Sequence, residues 1–238
     1  KLNRIGFALS GILLASGVGA VISDDNRKIT IEDIVGGYLR LSDVGRTRNE
    51  VLIDQSRENA QSKNVNNLSN PNHGSNPNHG SNPNQVKNSS LIIATSPPDP
   101  ELLAEWMRGS TPFFLIDGLD RDNLTFGPFV NPGKDACPRC IDLHCLDRDP
   151  NWNSVTLAHF LDRRRELSTP LAMLGASVGA IFALAQLDYL DQLAHLDRVN
   201  SIDRNIQAAD QRSSQFQLRG KTITYSASEL MHPVIRRW

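Results

Sequence analysis

The three cysteines of the chain, Cys137, Cys140 and Cys145, lie within a single stretch of nine residues that also contains His144. Cys137-Pro-Arg-Cys140 has the spacing that supplies half of a tetrahedral zinc site. Cys145 could be the third ligand and His144 or His232 the fourth, because zinc prefers thiolate and imidazole donors. The residue types therefore predict one zinc ion per chain.

Two other interpretations of this cysteine-rich loop, residues 131–152, stay open. A single CxxC pair also occurs in a degenerate zinc loop, where the remaining thiols simply pack. A redox-active pair is the third interpretation. Such pairs favour a helix N-terminus, which lowers the thiol pKa, and no sequence signal clearly starts a helix at Cys137. We therefore treat the segment as a loop.

The charge balance and the cysteine count limit the class of protein. The 238 residues include 25 basic and 26 acidic side chains, so no broad cationic surface indicates a nucleic-acid partner. Three clustered cysteines are too few for a disulfide framework and favour a reducing, cytoplasmic location. Apolar runs at 4–25 and 169–190 are near the lower length limit for crossing a membrane, and we interpret both as helices buried in a soluble core.

The pattern of apolar runs and turn signals predicts an α/β protein whose sheet has parallel strands in its first half. The N-terminal part is predicted to have a helix over 4–16, a short buried strand in 17–23 and a helix from about Val44 capped by Ser42 or Asp43. The remainder is predicted to have a strand over 91–95, a turn and helix over 96–109, strands over 112–117 and 122–130, helices over 153–167 and 169–195, and a hairpin around 219–221.

An asparagine-rich tract divides the chain. It contains "NPNHGSNPNHGSNPN", a six-residue repeat with no apolar face. Asn-Pro and His-Gly interrupt both helix and strand, so we expect residues 61–90 to be a disordered insert. The insert separates an N-terminal part, 1–60, from the remainder of the domain, 91–238.

Three quoted segments together resemble a known family. They are "RIGFALSGILLASGVGAVISDD", "IVGGYLRLSDVGRTRNEVL" and "FGPFVNPGKDACPRCIDLHCLDRDPNW". They resemble actinobacterial ThiF/HesA/MoeB-type proteins of the ubiquitin-activating-like adenylyltransferase superfamily. Some relatives are cyclodehydratase or leader-peptide-binding components of azole-peptide biosynthesis. The resemblance implies a Rossmann-like ThiF-type sheet that binds ATP and magnesium and adenylates a carboxyl terminus.

The same resemblance assigns roles to particular residues. Gly6 matches the last glycine of the phosphate-binding turn. Asp24 matches the acid that holds the ribose, with Asp25 as the other candidate. Arg48 occupies the position of the family's catalytic lysine and keeps the charge without the compact ammonium group. Asp99 stands in for the family's late catalytic aspartate.

The chain departs from the family at two places. The first strand and the earlier glycines have no counterpart before Gly6, which implies a truncated N-terminus and ATP binding only if that strand is encoded upstream. The second cysteine pair of the family's zinc site is absent, although His232 remains. These departures favour a pseudoenzyme that acts as a scaffold or peptide-binding component, with a protein or peptide partner and a homodimer as its expected assemblies. A working adenylyltransferase and a membrane-anchored protein are the alternatives.

Overall fold

The computed structural model describes residues 2–36, 38–66, 90–118, 122–161, 167–199 and 218–237. The chain divides into two compact units, Lys1–Ser89 and Ser90–Trp238. Residues 67–89, which include most of the predicted insert, lie outside the described residues.

Unit one is helical. Helix α1 covers Arg4–Ala15 and helix α2 covers Arg48–Asn66, with two short 3-10 helices between them at Ile31–Gly36 and Leu41–Asp43. The predicted helix over 4–16 is therefore confirmed. Asn3 caps α1, because its side chain accepts a hydrogen bond from the Gly6 amide at 2.9 Å. The core of the unit consists of apolar side chains from both helices and the connecting segment: Leu2, Phe7, Leu14, Ile29, Leu39, Val51 and Leu52.

The predicted strand in 17–23 is wrong. These residues form a turn and extended loop, in which Val21 packs against the core while the Ile22 side chain is 46% exposed. In the described part of unit one, strand-type pairing is limited to the isolated bridge between Lys28 and Thr47. The β-branched residues therefore meet no neighbouring strand, and local propensity alone does not make a sheet.

Helix α2 begins at Arg48 and not near Val44. Asp43 closes a 3-10 turn instead, because its carboxylate accepts the Arg40 amide at 2.7 Å. The helix start is capped reciprocally one turn later: the Thr47 amide donates to the Glu50 carboxylate at 2.9 Å, and the Glu50 amide donates to the Thr47 hydroxyl at 3.3 Å. This capping box fixes the position of Arg48 at the first turn of α2.

Unit two contains a five-stranded sheet in the order β1-β2-β3-β4-β5. Strands β1 and β2 are parallel, and each later neighbour is antiparallel. The sheet and its helices confirm the predicted mixed α/β class. The bounds are β1 Ile92–Ala94, α3 Pro100–Arg108, β2 Phe113–Gly118, β3 Asn123–Val130, α4 Pro138–Arg148, α5 Trp152–Leu161, α6 Thr169–Val199, β4 Lys221–Ser226 and β5 Val234–Arg237.

The C-terminal hairpin exists, but its turn differs from the prediction. Strands β4 and β5 form it, with residues 227–233 as the connection. The predicted turn at 219–221 instead leads into β4, and Arg219 forms an isolated bridge with Phe129 of β3. The alternation of apolar and polar residues identified β4 correctly. Its partner β5 has only four residues, too short a pattern to be recognised in the sequence.

Helix α6 packs against β2 and β3 through a row of alanines. Small side chains at these positions let the helix backbone approach the sheet closely, and Phe182 adds an aromatic contact with Phe126, with 6.2 Å between ring centroids. The row has helical spacing and is at most 1% exposed: Ala172, Ala176, Ala180 and Ala183.

One helix in the described part of the chain, Thr169–Leu190 within α6, is long and apolar enough to cross a membrane, and 44% of its most apolar window is buried in the protein. Helix α1 is apolar but shorter. The alanine row of α6 accounts for its apolar composition by contact with the sheet.

Candidate functional site

Asp25, the second candidate for the ribose-binding acid, is buried and fully engaged. Its carboxylate accepts a hydrogen bond from the Leu2 amide at 2.7 Å and two from the Arg27 guanidinium at 2.8 and 2.6 Å. Burial by itself raises the pKa of Asp25, but the hydrogen bonds from Arg27 and Leu2 and the charge of Arg27 outweigh it and hold this pKa well below its usual range. Asp25 therefore holds the start of α1.

Arg48, the candidate for the catalytic cation, also uses both of its terminal nitrogens in hydrogen bonds within the protein. Its Nη1 donates to the Leu2 carbonyl oxygen at 2.6 Å, and its Nη2 donates to both carboxylate oxygens of Asp33 at 2.7 and 2.8 Å. The side chain is 9% exposed, and its Nε is buried without a hydrogen-bond partner. Asp25 and Arg48 thus hold the amide and the carbonyl group of the same residue, Leu2. We call Asp25, Arg27, Asp33 and Arg48 the ionic clamp.

A small cleft lies beside the clamp at the start of α1. Its empty volume is about 240 Å³, including the open solvent in its mouth. Six residues line it: Asn3, Arg4, Phe7, Asp33, Tyr38 and Leu39.

The remaining nucleotide candidates have different surroundings. The Gly6 amide, which the resemblance directs at a phosphate, donates to Asn3 instead. Asp24 is exposed beside buried Asp25. Asp99 occupies the N-cap position of α3 in unit two and is exposed. Within unit one, the structure brings Gly6 and Arg48 to the start of α1 through Asn3 and Leu2.

The cysteine segment starts a helix, which corrects its interpretation as a loop throughout. Cys137 is the N-cap of α4, Pro138 is its first residue, and the Cys140 amide donates to the Cys137 sulfur at 3.4 Å. The two sulfur atoms lie 3.3 Å apart. Cys140 is exposed and Cys137 is partly exposed.

This helix start does not lower the thiol pKa of Cys137. Burial raises it, and contact with the neighbouring thiol adds to the rise, while hydrogen bonding from the Cys140 amide acts in the opposite direction. The pair is therefore a dithiol in sulfur contact rather than one strongly acidic thiol.

The loop before α4 is attached to the sheet by a carboxylate. Asp135 accepts the Asn131 amide at 2.8 Å and receives the Arg219 guanidinium at 2.7 and 3.0 Å on one oxygen. Arg219 lies two residues before the start of β4, so this pair joins positions 84 residues apart. It fixes the direction in which α4, and with it the cysteine pair, leaves the sheet.

The other predicted zinc ligands do not converge with the pair. Cys145 is buried eight residues after Cys137, which corresponds to about 12 Å along an intact helix. Burial, and secondarily Asp142, raises the pKa of the Cys145 thiol, while Arg236 and Arg148 act in the opposite direction. Among the described residues there is no group of three or more histidine, cysteine, aspartate or glutamate side chains suited to a metal ion.

The histidine candidates lie on different elements. His144 is a partly buried residue of α4, and His232 is exposed in the connection between β4 and β5. A four-ligand zinc site therefore does not fit this arrangement, although Cys137 and Cys140 supply two adjacent donors. Zinc binding stays a prediction for that pair alone.

Sequence reasoning missed the partners that define both regions. Asp33 and Arg27 are ordinary surface-type residues in the sequence, and nothing local couples Asp33 to Arg48. Pro138 directly after Cys137 was a usable signal, since proline is favoured at the first helical position. Asp135 and Arg219 could not have been paired from the sequence, because a long segment separates them.

Neither a family model nor a curated protein matches the sequence. Solved structures do match. E. coli MccB with MccA-N7isoASN is 15% identical, with a TM-score of 0.60 over 100% of this chain and 62% of that chain. The microcin C7 biosynthetic enzyme MccB in complex with N-formylated MccA gives 15% identity and a TM-score of 0.61, again over 100% and 62%.

A second protein, PaaA, is similar to a comparable degree. It is 14% identical, with a TM-score of 0.57 over 99% of this chain and 70% of that chain. At such identities the likeness shows the fold, a Rossmann-type α/β arrangement. The chain spans about 62% of the length of the MccB structures it matches.

Proposed function

We propose that this chain is a peptide-binding, non-catalytic component of a peptide-modification system, built on an adenylyltransferase-type fold. A cytoplasmic location is part of the proposal, and a homodimer is its expected assembly. The partner class is a protein or peptide rather than a nucleic acid or a membrane.

The observation that carries the non-catalytic part is the ionic clamp. ATP needs a cation with unoccupied donors, and the two terminal nitrogens of Arg48 already serve Leu2 and Asp33. Removing one partner from a buried ion pair costs about 3–5 kcal/mol. A phosphate group would have to offset that cost before it gained anything from Arg48.

The peptide part is supported by the fold. MccB structures contain MccA in N-formylated and selenomethionine forms, and both modifications belong to polypeptides. This chain matches only about 62% of the MccB chain, so the activity of the whole MccB enzyme is not assigned to it. The similarity to part of MccB and the ionic clamp together support a function in which the chain binds a polypeptide without catalysing a reaction on it.

An adenylyltransferase acting on a protein or peptide carboxyl terminus is the alternative. The likeness to MccB solved with ATP favours it. In that alternative Asp24, exposed next to the clamp, would hold the ribose, and Arg48 would have to leave Asp33 when ATP binds. Asp99 would then serve as the second catalytic residue.

Calorimetric titration with Mg-ATP separates the two functions. The proposal expects no measurable heat for the whole chain, and no ATP–pyrophosphate exchange. Asp33→Asn is the matched variant, because it removes the carboxylate that occupies Arg48 while leaving a similar shape. Micromolar affinity in the unmodified chain that disappears in Asp24→Ala would contradict the proposal and establish the alternative.

A random peptide library displayed on phage tests the binding part. The proposal expects enrichment of a related set of peptides on the immobilised chain, and saturable binding of a synthesised member in solution. Absence of enrichment over a protein of similar size and charge would contradict it. Neither outcome depends on ATP, so the two parts of the proposal fail separately.

A further inference from the structure

The cysteine pair at the start of α4 has three properties that no part of the proposed function uses. Its sulfur atoms are in contact at 3.3 Å. Cys140 is exposed and Cys137 partly exposed. The two residues are the N-cap and third residue of one helix, so backbone structure keeps them adjacent.

The distances suit a disulfide bond. A disulfide requires a sulfur–sulfur distance near 2.05 Å, so closing the present contact needs a movement of about 1.2 Å. A disulfide needs Cβ atoms about 3.5–4.5 Å apart, closer than the roughly 5–6 Å typical of residues three apart within a helix. Cys137 lies at the N-cap, where its backbone is extended (φ −80°, ψ 165°) and not helical, and the sulfur contact shows that its side chain reaches Cys140.

The surroundings do not offer a competing use for the pair. Cys145 lies five residues beyond Cys140, about 7.5 Å further along the helix axis, and no third metal donor joins the two sulfurs among the described residues. Because this arrangement does not fit a closed four-ligand zinc site, we consider Cys137 and Cys140 as two adjacent, solvent-accessible thiols.

We propose that Cys137 and Cys140 are a reversible dithiol–disulfide pair that exchanges with low-molecular-weight disulfides. Cys140, the more exposed residue, reacts first: its thiolate attacks one sulfur of R–S–S–R, forms a mixed disulfide and releases one RSH. Cys137 then attacks the Cys140 sulfur, releases the second RSH and closes the intramolecular bond. The two cysteines lose two electrons and two protons, and the external disulfide gains them.

Oxidised glutathione is the probe for this reaction. The full-length chain, reduced and then freed of reductant, is equilibrated in mixtures of oxidised and reduced glutathione, quenched with acid and alkylated under denaturing conditions. Mass spectrometry should show three alkylated cysteines in reducing mixtures and one, Cys145, in oxidising mixtures. Dithiothreitol should restore all three.

Single substitutions test the assignment of roles. Cys145→Ser should leave the two-electron change intact. Cys137→Ser should stop at a stable mixed disulfide on Cys140. Cys140→Ser should form the corresponding adduct on Cys137 at least several-fold more slowly. A faster adduct on Cys137 would overturn the proposed order of attack.

Three results would overturn the pair itself. One is stoichiometric zinc in protein purified without chelator or metal-affinity tag, with both thiols unreactive until the metal is removed. Another is a disulfide that includes Cys145 or joins two chains. The third is a fully reduced pair in a mixture rich in oxidised glutathione.

Discussion

The ionic clamp in unit one and the cysteine pair in unit two both contain residues that the sequence associates with chemistry: Asp25 and Arg48 in the clamp, and the two cysteines of the pair. Asp25 and Arg48 of the clamp are buried, and their charged groups hold the backbone of Leu2. The cysteine pair is accessible, and its sulfurs contact each other, with the Cys137 sulfur also accepting the Cys140 amide. The difference shows that residue type identifies a candidate site. The hydrogen-bond and ion-pair partners of the residue then determine whether it can bind a ligand or react.

The largest expected effect tests the structural role of the clamp. Arg48→Met should lower the free energy of unfolding by about 3–5 kcal/mol, because Asp33 and the Leu2 carbonyl group then lose their buried partner. Urea unfolding followed by circular dichroism measures this change. The double variant Arg48→Met with Asp33→Leu is the control and should recover part of the loss. An Arg48→Met protein as stable as the original would show that the charges of the clamp do not stabilise unit one.

Asp25→Asn should have the next largest effect, roughly 1–3 kcal/mol, because Arg27 loses its charged partner while the Leu2 amide keeps an oxygen acceptor. The effect depends on pH. The folded-state pKa of Asp25 lies below its unfolded value, so its contribution is complete above about pH 4 and decreases as the pH falls through the folded pKa.

Urea unfolding between pH 6 and pH 2 should therefore show a difference between Asp25→Asn and the original chain that narrows with acidity. Asp24→Asn is the matched control, since Asp24 is the exposed neighbour. A constant difference across this pH range would show that the substitution acts through shape and not through the charge of Asp25.

Asp135→Asn should cost less, about 1 kcal/mol, because Arg219 is 43% exposed and water replaces part of the lost interaction. The variant loosens the loop before α4 while leaving both cysteines in place, so it tests whether this loop limits the reactivity of the pair. Alkylation of Cys140 in the native protein should become faster. Unchanged alkylation would show that α4 holds the pair without help from Asp135.

The smallest expected effect belongs to the cysteine pair. Cys140→Ser should change the free energy of unfolding of the reduced protein by at most about 0.5 kcal/mol, as for other exposed substitutions. Cys145→Ser, at the buried position on the same helix, is the control and should cost more. A loss of several kcal/mol in Cys140→Ser would indicate that the pair holds a stabilising metal.

The elements that could be predicted are those with strong, self-sufficient patterns. Strands β1 to β3 have buried apolar runs, and α6 has a long apolar face that packs on the sheet. The failures had weak or misleading local signals. Residues 17–23 include the β-branched Val18, Val21 and Ile22 but have no strand to pair with, and α4 has charged residues and cysteines in place of an apolar stripe.

The candidate site was predictable only as far as single residues. The resemblance singled out Arg48 and Asp24, with Asp25 as the other candidate, and it is Asp25 and Arg48 that contact Leu2 at the start of α1. Their roles come from contacts that cross 15 to 46 positions of the chain: Arg48 with Asp33, and Arg48 with Leu2. Such contacts depend on the packed fold, so local sequence could not show that these charges were already paired.

The Arg48–Asp33 ion pair also has an evolutionary consequence. A neutral residue at position 48 leaves an unpaired buried carboxylate, and a neutral residue at position 33 leaves an unpaired buried guanidinium, so each single change is costly. Positions 33 and 48 should therefore covary among descendants of this chain. Replacing Arg48 with lysine would keep a positive charge opposite Asp33, but a compact ammonium group would stand in place of the guanidinium that also reaches Leu2.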